Sequence, residues 1–179
     1  MQSLNIYNNL TYKPKSCSVI FYKIANNKLY LLLIQKNNKY YDIGGIIKNN
    51  DYINSMKTYI QNKTNFIINL DNYDININNL IYITSIRHLI QFIEADGYVS
   101  SLNKSDFSKY EIEGVNNIIK RDIVWINKDD LKIFNKYNLV DKKLIEPEVL
   151  IKMNNLYHKQ NINTTLNNIK LKIKKNLFI

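Results

Sequence analysis

The chain has 179 residues, of which 45% are hydrophobic and 22% are charged, and its formal net charge at pH 7 is +10. This is the length of one domain, large enough to bury a hydrophobic core without disulfides or metals to hold it together. Its single cysteine, Cys17, excludes a disulfide framework within the chain and indicates a reducing compartment such as the cytoplasm.

The N-terminal residues have neither the basic start nor the apolar stretch of a signal peptide. The longest purely apolar run, residues 29–34, is far shorter than the roughly 20 residues that a membrane helix needs. We therefore expect no membrane partner. Cys17 itself lacks a histidine or asparagine signature beside it, which favours a buried structural thiol.

Asn, Ile, Lys and Tyr dominate the composition, and the only arginines are Arg87 and Arg121. The codons of the abundant residues are AT-rich, so this bias indicates mutational pressure in an AT-rich genome, such as that of a large DNA virus, a protist or a parasite. A basic surplus attracts phosphates. Because the same pressure favours lysine codons, the charge is weaker evidence for nucleic-acid binding than its size suggests.

The first part of the chain predicts an arm, a β-hairpin and a helix. Residues 1–15 are polar and are expected to form an extended N-terminal arm. Residues 16–25 and 28–35 have the pattern of two strands joined by a turn at Asn26-Asn27. Helix caps at residues 49–51, followed by apolar residues at helical spacing, predict a helix over residues 51–64.

The rest of the chain predicts more strands and two further helices. Strands are expected over residues 80–86, 89–95 and 122–126, with a polar loop at 100–108 and a small helix after the third strand. Pro147 is tolerated in a first helical turn and begins a final helix. This order predicts an α+β fold in which a mixed central sheet is flanked by helices, as one domain over residues 16–160.

The last segment, residues 161–179, is Asn-rich and basic. Its lysines alternate with apolar residues too regularly for a clean amphipathic helix. We expect a solvated C-terminal tail or an edge strand in preference to a specific RNA arm, and its lysines could make nonspecific contacts with phosphates.

Two adjacent glycines, Gly44 and Gly45, stand out because the whole chain has only four. Such a pair gives the backbone left-handed conformations or room for a close approach. We therefore expect a specialised loop between the hairpin and the first helix.

Three segments together resemble the Nudix hydrolase family. They are the hairpin, Tyr41-Asp-Ile-Gly-Gly45 with the capped helix after it, and Ile123-Val-Trp-Ile-Asn-Lys-Asp-Asp-Leu131. The resemblance covers about residues 15–157. It implies the family's α/β/α sandwich and a cleft shaped for nucleoside diphosphates.

Nudix enzymes hold divalent cations with glutamates that lie about three to four residues apart on one helix, and the cations promote attack of water on a diphosphate. In this chain Gly45 matches the opening glycine of the family motif, and Asp51 falls at its first glutamate. The remaining positions can be aligned in two registers. Without a gap, Tyr59-Ile60 falls at the Arg-Glu pair of the motif and Lys63-Thr64 at its Glu-Glu pair. After one deletion before the helix, Thr58-Tyr59 and Asn62-Lys63 fall at these two pairs instead.

Neither register leaves a glutamate in the helix, and no acidic residue lies between Asp51 and Asp71. The resemblance therefore implies a catalytically degenerate domain, a pseudoenzyme without the family's metal ions. Lys63 would instead offer a positive charge to a bound phosphate. The alternative for Lys63 is a solvated helix residue.

Tyr40 and Tyr41 would flank the family's substrate cleft, where aromatic rings stack on a nucleobase or cap. Packing in the core is the alternative for both tyrosines. Arg87-His88 favours a turn or strand end, although Arg87 could also line the cleft. The complete set of expected ligand contacts is Tyr40, Tyr41, Gly44, Gly45, Lys48, Lys63 and Arg87.

Three functions stay open at this point. The first is a non-catalytic module that binds a nucleotide, a capped RNA end or RNA, and the second is a structural or interaction subunit of a viral or other assembly with a protein partner. Neither needs a cofactor. The third is a divergent Mg²⁺-dependent hydrolase of nucleoside-diphosphate-linked or capped substrates. It would recruit its carboxylates from Asp51, Glu94, Glu111 and Glu113.

Overall fold

One mixed β-sheet forms the centre of the protein. The structure is a computed structural model that describes the backbone of residues 13–113 and 117–176. Within these ranges it describes all side chains except those of residues 111–119, 161 and 164–176. Its eight described strands are β1 (Ser16–Ala25), β2 (Lys28–Lys36), β3 (Lys39–Tyr41), β4 (Ile43–Ile46), β5 (Leu80–Ile83), β6 (His88–Glu94), β7 (Lys109–Glu113) and β8 (Asn117–Asn127). Six of them lie side by side in the order β5-β6-β1-β2-β8-β7. The β1–β6 pair is parallel and the other described pairs are antiparallel, so the sheet is mixed.

Five α-helices connect or cover these strands within the described residues. They are α1 (Tyr52–Lys63), α2 (Gly97–Ser101), α3 (Lys104–Phe107), α4 (Asp130–Lys136) and α5 (Pro147–Asn176). A short 3-10 turn at Lys142–Ile145 precedes α5. None of the helices in the described part of the chain has the length and apolar character needed to cross a membrane.

Hydrophobic layers lie on both faces of the sheet because successive side chains of a strand point to opposite sides. In β1, Val19 and Phe21 face α1, whereas Ile20 faces α4 and α5. The buried residues of α1 are Ser55, Met56 and Ile60. The helices therefore cover the sheet on two sides, which confirms the α+β class and the mixed sheet expected from the sequence.

The strands β1 and β2 separate at one end, and the β3–β4 segment fills the space between them. The two strands pair directly only near their hairpin turn, from Tyr22 and Leu31 to Ala25 and Lys28. Beyond that point β4 pairs with β1, and β3 pairs with β2. Asp42, the residue between β3 and β4, therefore lies inside the split.

The two adjacent glycines belong to β4, so the expected loop at this position was wrong. Gly44 pairs with Ser18, and a Cβ on Gly44 would lie 2.1 Å from the carbonyl oxygen of Cys17. A Cβ on Gly45 would lie 2.4 Å from Cζ of Tyr59. Close approach of β1 and α1, and not a left-handed backbone, explains both glycines.

Other local expectations also differ from the structure. The polar region at 100–108 contains the end of α2 and all of α3, and the strand expected at 122–126 extends over the whole of β8. The strand expected at 80–86 ends at Ile83 because a 3-10 turn follows, which ends in Arg87 with a left-handed φ of 55°.

The backbone of α5 continues to Asn176, so an edge strand over residues 161–176 was wrong. Periodicity of lysine and isoleucine favoured an extended chain there, whereas helix propagation from Pro147 costs little once the helix has begun. Most of the expected N-terminal arm, residues 1–12, and the last three residues lie outside the described residues.

Candidate functional site

A pocket of about 360 Å³ lies at the split between β1 and β2. Its lining comes from β2 and the turn after it, from the β3–β4 segment, from the end of α1, from β8 and from the 3-10 turn before α5. Four of its lining residues are basic and one is acidic. The lining residues are Ile34, Lys36, Asn37, Tyr41, Asp42, Gly44, Lys63, Arg121 and Lys143.

The basic residues reach the pocket from four different segments. Lys36 and Arg121 are direct cross-strand partners of β2 and β8. Lys63 is the last residue of α1, where the partial negative charge of the helix end favours a cation.

Asp42 connects the pocket to the buried interior. Its Oδ1 accepts a hydrogen bond from Nζ of Lys143 at 2.9 Å, and its Oδ2 lies 2.8 Å from Nε2 of His88. Burial by itself would raise the pKa of Asp42, but the hydrogen bond from His88 and the charge of Lys143 hold the pKa well below its usual range. Asp42 is therefore an anion with both oxygens engaged.

His88 is the centre of a buried polar cluster beneath the split. Oγ of Ser16 lies 2.6 Å from Nδ1 of His88, and Oγ of Ser18 lies 2.9 Å from Nε2, the nitrogen that also faces Asp42. His88 begins β6, directly after the left-handed residue Arg87, so the expected turn and strand-end role of Arg87-His88 is confirmed. The cluster fixes β1, β4 and β6 relative to one another.

Three of the seven expected ligand contacts line the pocket, namely Tyr41, Gly44 and Lys63. Nζ of Lys39 lies 5.7 Å from the centroid of the Tyr41 ring and covers one of its faces. The ring is also packed partly against the core beside α1. Tyr41 therefore combines a core contact with a pocket contact.

The other four expected contacts are elsewhere. Tyr40 stacks on Phe134 with ring centroids 4.9 Å apart, which is a core role. Gly45 lies against Tyr59, and Lys48 is exposed before α1, where its backbone N–H donates to Ser55. Nε of Arg87 donates to the carbonyl oxygen of Lys13 at 2.8 Å. Tyr40 and Tyr41 differ because neighbouring side chains of a strand point to opposite faces.

The acidic candidates do not converge on the pocket as far as their side chains are described. Asp51 is the N-cap of α1 and accepts from the backbone N–H of Asn54 at 3.0 Å. Glu94 ends β6 at the opposite end of the β1–β6 ladder from Gly44 and accepts a hydrogen bond from Gln160. Glu111 and Glu113 lie on β7, and their side chains are outside the described set.

Among the described residues, no group of three or more His, Cys, Asp or Glu side chains has the arrangement of a metal site. A pocket with four cations and one doubly engaged carboxylate does not fit a divalent cation. Cys17 is fully buried, and burial raises the pKa of its thiol to about 12. It is therefore no candidate nucleophile or ligand.

Sequence reasoning missed most of the charged residues of the pocket. Asp42 lay inside the quoted motif, and Arg121 is one of only two arginines, so both carried a weak signal. Lys36 and Lys143 carried none in a lysine-rich chain. Lys143 reaches Asp42 across 101 residues of sequence, a contact that no local pattern predicts.

The chain matches no protein-family model and no curated protein sequence.

Proposed function

We propose that this protein binds a phosphate-bearing ligand, a nucleotide or an RNA end, in the cationic pocket at the β1–β2 split and does not hydrolyse it. The observation that carries this proposal is the charge of the lining: among the described residues that line the pocket, Lys36, Lys63, Arg121 and Lys143 are basic, and Asp42 is the only carboxylate. Lysine and arginine are the side chains that bind phosphate oxygens through charge-assisted hydrogen bonds.

The size of the pocket supports a small ligand. Its volume of about 360 Å³ is at the lower end of the roughly 300–1,000 Å³ that ligand pockets span. The phosphate would occupy the cationic part, and Tyr41, which also lines the pocket, would supply a ring for contact with a base or sugar.

The residues that surround the pocket support binding without hydrolysis. If the Nudix resemblance of residues 41–63 reflects kinship, α1 is the helix that would carry the metal-binding glutamates, and it has none. Asp42 is occupied by Lys143 and His88, and Asp51 caps α1. This donor set supports metal-free anion binding by a catalytically degenerate Nudix-like domain.

Calorimetric titration with pyrophosphate, a nucleoside diphosphate, a cap analogue and short RNA, each with and without Mg²⁺, tests the proposal. We expect binding without Mg²⁺ for at least one of these phosphates. Lys63→Gln should weaken it roughly fivefold or more, since one charge-assisted contact is lost. Failure of all four ligands to bind would refute the proposal.

Lys48→Gln is the matched control, because Lys48 is exposed and precedes α1 whereas Lys63 ends it. The two lysines therefore lie at opposite ends of α1. Chromatography of the same mixtures after incubation with Mg²⁺ or Mn²⁺ tests the divergent-hydrolase alternative. Release of a nucleoside monophosphate or diphosphate would contradict the proposal that the protein binds its ligand without hydrolysis.

A further inference from the structure

We infer that anion binding in the pocket is coupled to protonation of His88, so that the protein takes up a proton at this buried ring when it binds its ligand. The inference rests on the proposed function and adds a dependence on pH to it. Asp42 carries the coupling, because its side chain lines the pocket and also contacts His88.

The carboxylate of Asp42 lies between the pocket and the buried ring. Its Oδ1 accepts a hydrogen bond from Nζ of Lys143, which also lines the pocket, and its Oδ2 lies 2.8 Å from Nε2 of His88. The side chains of Asp42 and His88 are 3% and 1% exposed. A change of charge on His88 therefore acts on Asp42 with little screening by water.

The hydrogen bonds around His88 are compatible with both of its charge states. In a neutral ring with its proton on Nε2, this nitrogen donates to Asp42 and Nδ1 accepts from Oγ of Ser16, 2.6 Å away. In a protonated ring Nδ1 donates as well, and the same hydroxyl can accept, because a serine hydroxyl does either. Oγ of Ser18, 2.9 Å from Nε2, is a second hydroxyl of this kind. Neither state leaves a ring nitrogen without a partner.

Asp42 is the charged group that responds to His88. In the described part of the chain it is the one charged side chain that forms a hydrogen bond or ion pair with the ring. The neighbouring strand β5 pairs with His88 through the apolar residue Ile83. Arg87, which precedes His88, donates from its Nε to a backbone carbonyl oxygen. Burial raises the pKa of the Cys17 thiol on β1 to about 12, so this group stays neutral near pH 7.

The charge of His88 changes how strongly the pocket attracts an anion. With a neutral ring, Asp42 repels an anion in the pocket and holds Nζ of Lys143, whose side chain is 27% exposed. Protonation places a second cation 2.8 Å from the same carboxylate, which weakens both effects. A further carboxylate, that of Asp141, lies 3.9 Å from Nζ of Lys143. Because histidine changes its charge between pH 5 and 8, the affinity should rise as the pH falls through this range. By linkage, a bound anion favours the protonated ring.

The affinity of the full chain for pyrophosphate at pH 6 and at pH 8, measured by calorimetry in EDTA, tests the coupling. Pyrophosphate itself gains protons in this range, so the ratio of the two affinities is compared between proteins. We expect the gain in affinity from pH 8 to pH 6 to be roughly fivefold larger in the parent than in His88→Gln. His158→Gln is the matched control and should behave as the parent, because His158 is exposed on α5, beside the Tyr157 ring.

A second measurement does not depend on a substitution at His88. The chain has two histidines, so His88 is the only one left in His158→Gln. Its imidazole NMR signal then reports the charge of this ring directly as the pH is varied. We expect saturating pyrophosphate to move the midpoint of this change to a higher pH, since the bound anion and the proton favour each other.

The outcomes separate the coupling from the function on which it rests. Equal affinity ratios in the parent and in folded His88→Gln would overturn the coupling while leaving phosphate binding in place. An NMR midpoint that pyrophosphate does not move, or a signal that does not change between pH 5 and 8, would overturn it as well. If pyrophosphate binds at neither pH, the proposed function itself is wrong.

Discussion

Oδ2 of Asp42 lies 2.8 Å from Nε2 of His88, with the two side chains 3% and 1% exposed, and this contact joins the β3–β4 segment to the start of β6. The two residues are 46 positions apart in the sequence. Through Lys143, the same carboxylate also holds the 3-10 turn that precedes α5. The wall of the pocket therefore depends on one buried acidic side chain.

Asp42→Asn should lower the free energy of unfolding by roughly 3 kcal/mol, because it removes the buried charge that faces His88 and leaves Lys143 only the more distant carboxylate of Asp141, at 3.9 Å. Denaturant unfolding followed by circular dichroism measures the change. Asp129→Asn is the control, since the Asp129 carboxylate is 69% exposed and faces Lys128 at 3.8 Å. We expect that variant to stay within about 0.5 kcal/mol of the parent, and equal losses in both variants would contradict the role of Asp42.

The stabilisation from Asp42 should decrease in acid. Burial raises the pKa of this carboxyl, but the lowering by His88 and Lys143 is larger. The folded-state pKa is therefore below the unfolded value of about 3.9. A depressed pKa contributes stability that is complete above the unfolded pKa and is lost as the pH falls toward the folded one. The difference in unfolding free energy between parent and Asp42→Asn should therefore be smaller at pH 3 than at pH 6. A constant difference would show that Asp42 acts by packing alone.

Alanine at the adjacent glycines should destabilise the protein by overpacking. Gly45→Ala forces the Tyr59 ring to move and should cost about 1 to 3 kcal/mol. Gly44→Ala should cost more, because the obstacle is the backbone carbonyl of Cys17, which cannot rotate away. Thermal unfolding measures both changes.

A third glycine and a double variant provide the controls for this prediction. Gly97→Ala should be neutral or slightly stabilising, since a Cβ there meets no atom within 4 Å and alanine favours the helix α2. Tyr59→Ala combined with Gly45→Ala should cost less than the sum of the single changes. Additive costs would mean that Tyr59 is not the obstacle.

The two neighbouring tyrosines should separate stability from binding. Tyr40→Leu removes the stack on Phe134 and should lower the melting temperature without changing the affinity for a nucleoside diphosphate. Tyr41→Leu should weaken nucleoside diphosphate binding about fivefold or more and pyrophosphate binding less, because only the nucleoside can use the ring. Parallel calorimetric titrations of both variants test this, and equal weakening of the two ligands by Tyr41→Leu would contradict it.

The elements that the sequence predicted well are those held by local patterns. The β1–β2 hairpin begins at Ser16 as expected, because its strand pattern is clear and Asn26 and Asn27 both adopt positive φ in the turn. Asp51 caps α1, and Pro147 begins α5. In each case a cap, a turn residue or a periodicity within about ten residues decides the conformation.

Local sequence patterns did not predict the split between β1 and β2 or the pocket that lies there. The split depends on β4 displacing β2 from β1, which requires glycine at position 44 for a contact with Cys17. Arg121 and Lys143 reach the pocket through long-range strand pairing and through a turn without periodicity. A lysine-rich composition gave no means of distinguishing Lys63 in the pocket from Lys48 outside it.

Metal-free phosphate binding in this pocket is tested most directly by a calorimetric titration of the protein with pyrophosphate in the presence of EDTA. The parent protein should bind, Lys48→Gln should bind equally well, and Lys63→Gln should bind roughly fivefold or more weakly, with a melting temperature lowered by roughly 4 °C at most because one cation at the end of α1 is lost. No heat of binding in EDTA, or an equal loss of affinity in both lysine variants, would contradict it.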